Sequence, residues 1–410
     1  MNILLINHYA GSPYYGMEFR PYYLAREWVK QGHYVVILGA SFSHLRQHNP
    51  DVSQDFQQED IEGIKYVWFK TPAYGDSMAR IMNMLSFVWK LKKNAKKIAK
   101  LFQPDLVIAG SCYPLDNYSA HKIAMLAGAK YTYEVRDIWP LSPMLIGGYS
   151  KYHPFIWVMQ KAEDYAYKHV DRIISLLWNA EGHMLEHGLA PGKFVCVPNG
   201  YNPEEWTEDK FTLPLPAEHQ KILTELKGKT IVGFAGGFAA SGSVITLVLA
   251  ALELKNRRDI HFVLVGKGPE IESYKKVIDE NGLNSISILP AVPKNLIPAI
   301  NCHFDIAYLG GLHSELHKYG TSYNKMTDYM LSGKPIVQSV DEPGSVVERV
   351  GCGIRVEAEN AKEVANAIIK LANKTPQERK EMGLKGREYV INNLPWSKLA
   401  EDFIAPFRKD

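Results

Sequence analysis

Short apolar runs separated by glycine-rich loops dominate the chain. Residues 3–7 form an apolar run that opens into a loop at 8–16 rich in Gly, Ser, Pro and Tyr. Residues 19–31 then read as a helix closed by Gly32-His33, and 34–38 as a second strand. Strand, glycine loop, helix and strand make a βαβ unit, and this predicts a parallel sheet. Further buried strands are predicted at 105–109, 131–135, 172–175 and 194–197, the last running into the turn signal Pro198-Asn199-Gly200.

Residues 201–228 lose the periodicity, hold Pro203, Pro214 and Pro216, and read as a linker. The opening theme then returns. A strand at 231–235 meets Gly236-Gly237, a helix follows at 243–254, and a strand at 261–265 enters Gly266-Lys267-Gly268. Strands at 286–289, 305–309, 335–338 and 353–356 and helices at 361–373 and 376–392 complete the second half. The pattern predicts two α/β Rossmann-like domains, 1–205 and 206–394, facing each other across a cleft. An amphipathic C-terminal segment, 395–410, is expected to pack back on the first domain.

At 410 residues the chain is too long for one core, in keeping with two domains. A net charge of +3 gives no case for nucleic acid as a partner. Four cysteines, spread apart with no C-x-x-C pair, argue against a zinc site or a disulfide framework and fit a reducing cytoplasm. The apolar start turns polar at once and lacks a basic n-region, so it reads as a first strand rather than a signal peptide. No run reaches the roughly 18 apolar residues needed to span a bilayer. Residues 87–102 are heavy in lysine with aromatics at both ends. That composition suits either an anionic membrane surface or a solvated lysine face.

Candidate chemistry gathers in the segment 319–335, YGTSYNKMTDYMLSGKP. Met326, Tyr329 and Met330 share one helical face, Thr321 or Ser322 offers an N-cap hydroxyl, and Gly333-Lys334-Pro335 stops the helix. The first-turn N–H groups and the helix dipole suit a phosphate, and Lys325 adds a full charge there. Asp328, one turn on, suits two adjacent ribose hydroxyls. In the first half, Gly16, Glu18 and Arg20 open a helix where either an acceptor's hydroxyls are bound or Glu18 favours the helix dipole beside a solvated Arg20. Arg136 and Asp137 end a strand where a leaving diphosphate and an acceptor proton are handled. The Gly236-Gly237 loop lets backbone N–H groups approach a phosphate, but it is not a P-loop, and Gly266-Lys267-Gly268 fails the dinucleotide fingerprint. No D-x-D triplet is present to clamp a metal–diphosphate, and the Gly-rich setting of His313 and His317 speaks against a zinc helix.

These stretches together resemble family 4 glycosyltransferases of the GT-B fold, over essentially the whole chain. The resemblance rests on GMEFRPYYLAREWVKQGHYVVIL, YEVRDIWP, VPNGYNPEEW, FAGGF, LVGKGPE and YGTSYNKMTDYMLSGKPIV. The last looks like the Ser-Pro-Asn-Lys…Asp-Tyr-Met variant of O-antigen and capsule transferases, including the N-acetylfucosaminyl type. The resemblance implies retaining, metal-independent and cofactor-free transfer from a UDP-sugar, in the cytoplasm or peripherally at the inner membrane face. The sugar would be an N-acetylated or deoxy hexosamine and the acceptor a lipid-linked or growing saccharide of the bacterial surface. Asp328 matches the second acid of the E-x7-E motif and would hold the ribose. Lys325 with Gly236 and Gly237 would hold the diphosphate, Gly266 and Val292 would lie near base and ribose, and Ser322, Tyr323 and Asn324 would complete the donor site.

Three positions depart from the family pattern. The first acid of E-x7-E falls on Gly320, with Glu315 or His317 as candidate substitutes. The Arg–Lys pair that often grips the diphosphate is absent after FAGGF. Arg136 stands where a His often precedes the first-half Asp. A UDP-sugar epimerase of the same fold and a non-catalytic sugar-nucleotide-binding subunit are the alternatives.

Overall fold

The computed structural model describes residues 1–408, so the last two residues of the predicted segment 395–410 lie outside the described residues. The chain forms two compact units, Met1–Asn199 with the segment from Trp396 onward, and Gly200–Pro395.

The first unit is built on eight strands: β1 (Asn2–Ile6), β2 (Tyr34–Ala40), β3 (Gln57–Ile61), β4 (Ile64–Phe69), β5 (Leu106–Ala109), β6 (Lys130–Val135), β7 (Arg172–Ser175) and β8 (Phe194–Cys196). Their order is β3-β4-β2-β1-β5-β6-β7-β8. Strands such as LLI of β1 and VVILGA of β2 are apolar on both faces because helices cover both faces of a parallel sheet. The predicted all-parallel sheet is corrected at one edge, where β3 runs antiparallel to β4. Glu62 and Gly63, both at positive φ (51° and 79°), make the two-residue turn. Strand β3, QQEDI, is half exposed and so lacks the apolar run that marks the other strands.

The Trp396–Ile404 helix packs on the Arg20–Lys30 helix. Trp28 Nε1 donates to the Ala400 carbonyl at 2.8 Å, and Tyr23 stacks on Trp396 at 5.5 Å.

The second unit holds β9 (Thr230–Gly237), β10 (Ile260–Lys267), β11 (Ile286–Leu289), β12 (Ile306–Gly310), β13 (Ile336–Ser339) and β14 (Gly353–Val356). All pair in parallel, in the order β11-β10-β9-β12-β13-β14. This is a doubly wound order, and its direction reverses between β9 and β12. Ligands of such sheets bind beyond the strand carboxyl ends at that reversal. Val232, Phe234, Leu264, Ile306 and Tyr308 fill the core beneath it.

One further expectation is corrected. The proposed linker 201–228 contains the Ala217–Glu225 helix and two short 3-10 turns, so it is an integral part of the second unit. The lysine-rich stretch 87–102 spans the end of the Ser77–Lys93 helix and the whole Ala95–Phe102 helix, which are separated at Asn94.

Candidate active site

In the second unit the site grows from the end of β9. Gly236 and Gly266 lie side by side in the β9–β10 register, so closely that a Cβ on Gly266 would stand 1.9 Å from the Gly236 carbonyl. The Asn324–Leu331 helix is tied to this point because the Ala235 N–H donates to Tyr329 Oη at 3.0 Å. Lys325, in the first turn, is thereby laid across the glycine loop. A Cβ on Gly236 would stand 2.1 Å from Lys325 Cε and 3.1 Å from Nζ. The lysine fills the space that the missing side chain leaves.

Lys325 is half-buried, and burial lowers its pKa while Asp328 opposes the shift. Among the described residues no carboxylate or carbonyl hydrogen-bonds its ammonium, which lies over the Phe234 ring at 5.2 Å. The expected hydroxyl cap is not formed. Tyr323 is the N-cap residue and no side chain caps the turn, because Thr321 is drawn instead to Glu342. Tyr323 Oη pairs with His317 Nε2 at 3.1 Å, Ser322 is half-buried, and Asn324 is exposed beside Lys325.

Asp328 lines a pocket of about 420 Å³ with Glu205, Trp206, Lys294, Asn295 and Ile297. Its carboxyl is pushed up to about 7, chiefly by burial; Lys294 opposes the shift, Glu205 adds to it, and Lys325 opposes it. Lys294 pairs with Glu205 at 2.5 Å on the pocket wall. Val292 is half-buried two residues before Lys294. Sequence reading missed Trp206 and Glu205 because they lie in the stretch taken for a linker; the bulky Trp after the PNG turn was the available signal.

Gly320 offers no carboxylate, and Glu315 points outward with its side chain 72% exposed. Glu342, 1% exposed, stands behind the loop. It accepts from Thr321 N (2.8 Å), Thr321 Oγ1 (2.6 Å) and Gln338 Nε2 (2.9 Å). It fixes the entry to the helix from a position that no motif marked.

In the first unit, Glu18 and Arg136 form an ion pair at the end of β6. Burial pushes the Asp137 carboxyl above the usual range, with Arg136 opposing and Glu18 adding to the shift. The same burial, together with Asp137 and Glu18, pushes the neighbouring Cys112 thiol up to about 12, so it stays protonated. Two residues expected at the acceptor, Arg20 and Gly16, have structural partners within the first unit. Arg20 is 4% exposed, and its guanidinium donates to Glu134 (2.8 Å), the Val197 carbonyl (2.8 Å) and the Pro198 carbonyl (2.6 Å). It braces the chain after β8. Gly16 is buried at φ +88°, a turn position bridged to Ser12, and its role is conformational.

Among the described residues one grouping of potential metal ligands occurs, Glu163, Asp164 and His187 in the first unit. The Gln160 amide satisfies it, donating to Glu163 Oε2 (2.9 Å) and Asp164 Oδ1 (2.7 Å). No described helix is long and apolar enough to cross a membrane.

A glycine loop and a half-buried lysine thus lie together at the reversal of a doubly wound sheet, the place where ligands of such α/β folds bind. Residues 15–200 match the family model of the glycosyl transferase 4-like domain, and residues 229–374 match glycosyl transferases group 1. No curated protein matches the sequence. Among solved structures, Anabaena Alr3699/HepE, crystallised with UDP and glucose, is 15% identical, covers 99% of this chain and 98% of its own, and has a TM-score of 0.65. The sucrose-phosphate synthase of Thermosynechococcus elongatus is 16% identical over 99% and 98%, with a TM-score of 0.71. WaaG, a glycosyltransferase involved in lipopolysaccharide biosynthesis, is 12% identical over 100% of both chains, with a TM-score of 0.65. With both halves matched and the fold shared, this chain is a glycosyltransferase of the GT-B fold.

Proposed function

We propose that this glycosyltransferase moves a sugar, an N-acetylated or deoxy hexosamine, from UDP to a lipid-linked or growing saccharide of the bacterial surface. In this reading transfer proceeds with retention and without a metal. The observation that carries it is Lys325, a half-buried ammonium with no bonded carboxylate, lying across Gly236. A diphosphate is the partner such a group lacks: the ammonium and the uncapped amides of the Asn324–Leu331 helix supply the countercharge that a metal supplies elsewhere. Asp328, one turn on in a pocket of nucleoside size, takes the ribose hydroxyls. That Anabaena HepE was crystallised with UDP supports UDP as the carrier, and the role stated for WaaG supports a surface glycan as the product.

In the proposed mechanism the bond from the anomeric carbon to the diphosphate breaks while the acceptor hydroxyl approaches on the same face. Charge grows on the diphosphate, and Lys325 and the Gly236-Gly237 amides hold it. Arg136 is assigned to the charge of the leaving diphosphate, and Asp137 to the acceptor's hydroxyl proton.

The test is incubation with UDP-N-acetylhexosamines and polyprenyl-diphosphate saccharides in EDTA, with the product's anomeric proton read by NMR. The expected product keeps the donor's anomeric configuration. Inversion, or a strict need for added divalent metal, overturns the mechanism. Conversion of the donor without acceptor marks an epimerase, and tight binding without turnover marks a non-catalytic subunit.

A further inference from the structure

The Ser77–Lys93 helix buries one face and leaves another apolar face uncovered. Met84, Phe87 and Leu91 are buried. On the opposite side Met78 (69% exposed), Met82 (57%), Leu85 (47%) and Trp89 (58%) follow at i, i+4, i+7 and i+11. That spacing is a single stripe about three turns long. Isolated exposed apolar residues are ordinary; a contiguous stripe on one helix marks an interaction surface.

What surrounds the stripe identifies its partner. Between Asp76 and Asp105 the chain has one arginine, six lysines and no acidic residue. Those seven cations exceed the net +3 of the whole chain, so the remainder is net negative and the positive charge is concentrated here. Lys90 is held by Asp55 at 2.7 Å, and Lys97 lies over the Phe56 ring at 3.9 Å. Lys92 and Lys93 flank the stripe's end, and Lys96 and Lys100 share the outer face of the Ala95–Phe102 helix; all four are exposed. A second exposed aromatic lies in the same helical layer. The Pro154–His169 helix shares a core with the first through Phe155, Met159, Met84 and Val88. It leaves Trp157 61% exposed, with Lys161 5.9 Å from the ring. Lys93 stands in the same way 4.8 Å from Trp89. Apolar side chains ringed by lysine, with tryptophan beside the cations, match a bilayer interface: apolar groups enter the headgroup zone and ammonium groups lie on phosphates.

We propose that this face docks the protein peripherally on an anionic lipid bilayer, with Met78, Met82, Leu85 and Trp89 inserted and Lys92, Lys93, Lys96 and Lys100 on the lipid phosphates. This goes beyond the donor assignment and does not depend on it, because partition is measured without nucleotide. The experiment is sedimentation of the full chain with vesicles of phosphatidylcholine containing about one-third phosphatidylglycerol, against pure phosphatidylcholine. Binding to the anionic vesicles alone is expected. It should weaken roughly fivefold for each lysine changed to glutamine, and it should fade at high salt. Leu85→Glu with Trp89→Glu should abolish it, with circular dichroism melts and UDP binding unchanged. The proposal is overturned if wild-type protein ignores anionic vesicles, if the stripe variants bind as well as wild type, or if light scattering shows a dimer that those variants dissociate.

Discussion

Replacing Lys325 with methionine tests the donor site at its narrowest point. Methionine keeps most of the stem that fills the space over Gly236 and removes only the charge. In the free protein the ammonium is half-buried and hydrogen-bonded by no described carboxylate, and burial already lowers its pKa. Its removal should therefore leave the melting temperature unchanged or slightly raised, since an uncompensated buried charge is lost. Bound to a diphosphate, the same group makes a charge-assisted contact worth about 1.5–3 kcal/mol. That corresponds to about 10- to 150-fold in the dissociation constant of UDP. Isothermal titration of wild type and Lys325→Met with UDP and with uridine separates the contributions, because uridine lacks the phosphates. UDP should weaken by that factor and uridine hardly at all. Equal losses for both ligands, or a UDP affinity within about twofold of wild type, would refute the reasoning.

Other consequences follow from the same geometry. The Asp328 carboxyl is pushed up to about 7, so free protein should lose stability as pH rises from the ordinary carboxylate range to about 7, because the folded state holds the proton longer than the unfolded one. Asp328→Asn should flatten that slope in urea titrations. Ribose hydroxyls donate to the ionised form, so UDP affinity should fall as pH drops below about 7 in wild type and not in Asp328→Asn. Gly236→Ala places a methyl 2.1 Å from Lys325 Cε on a backbone at φ +157°, which L side chains rarely adopt, so it should displace the lysine, weaken UDP and also lower the melting temperature. Arg20→Ala leaves Glu134 buried without its partner, which should cost about 3–5 kcal/mol in urea unfolding. Arg20→Met with Glu134→Leu should recover part of that loss; failure to recover any would argue that the arginine's carbonyl contacts dominate.

Much of the fold was legible because buried parallel strands are short, uniformly apolar and bounded by glycine. Strands β1, β2, β9 and β10 are of this kind. Strand β3 was not legible, since a half-exposed edge strand reads QQEDI and its turn is Glu-Gly rather than Asn-Gly. The 201–228 stretch was misread because its prolines and charges resemble a linker, although Trp206 and Lys210 line the pocket and the Ala217–Glu225 helix lies within it. At the candidate site, the placement of Lys325 and Asp328 one turn apart on a helix was legible because helix spacing fixes which groups share a turn. The bracing contacts of Arg20 were not legible, because sequence shows that an arginine opens a helix but not that Glu134 and the Val197 and Pro198 carbonyls, all distant in sequence, accept from it. Glu342 carried no motif at all. Its importance arises only when β13 and the 320–321 loop come together and give the carboxylate three donors.

The most direct measurement is a crystal structure of the full chain soaked with UDP. The diphosphate should lie within hydrogen-bond reach of Lys325 Nζ and the Gly236-Gly237 amides, with both ribose hydroxyls on Asp328 and the base toward Lys294. Nucleotide bound away from the Asn324–Leu331 helix, or a diphosphate that leaves Lys325 in its unliganded position without contact, would contradict the account.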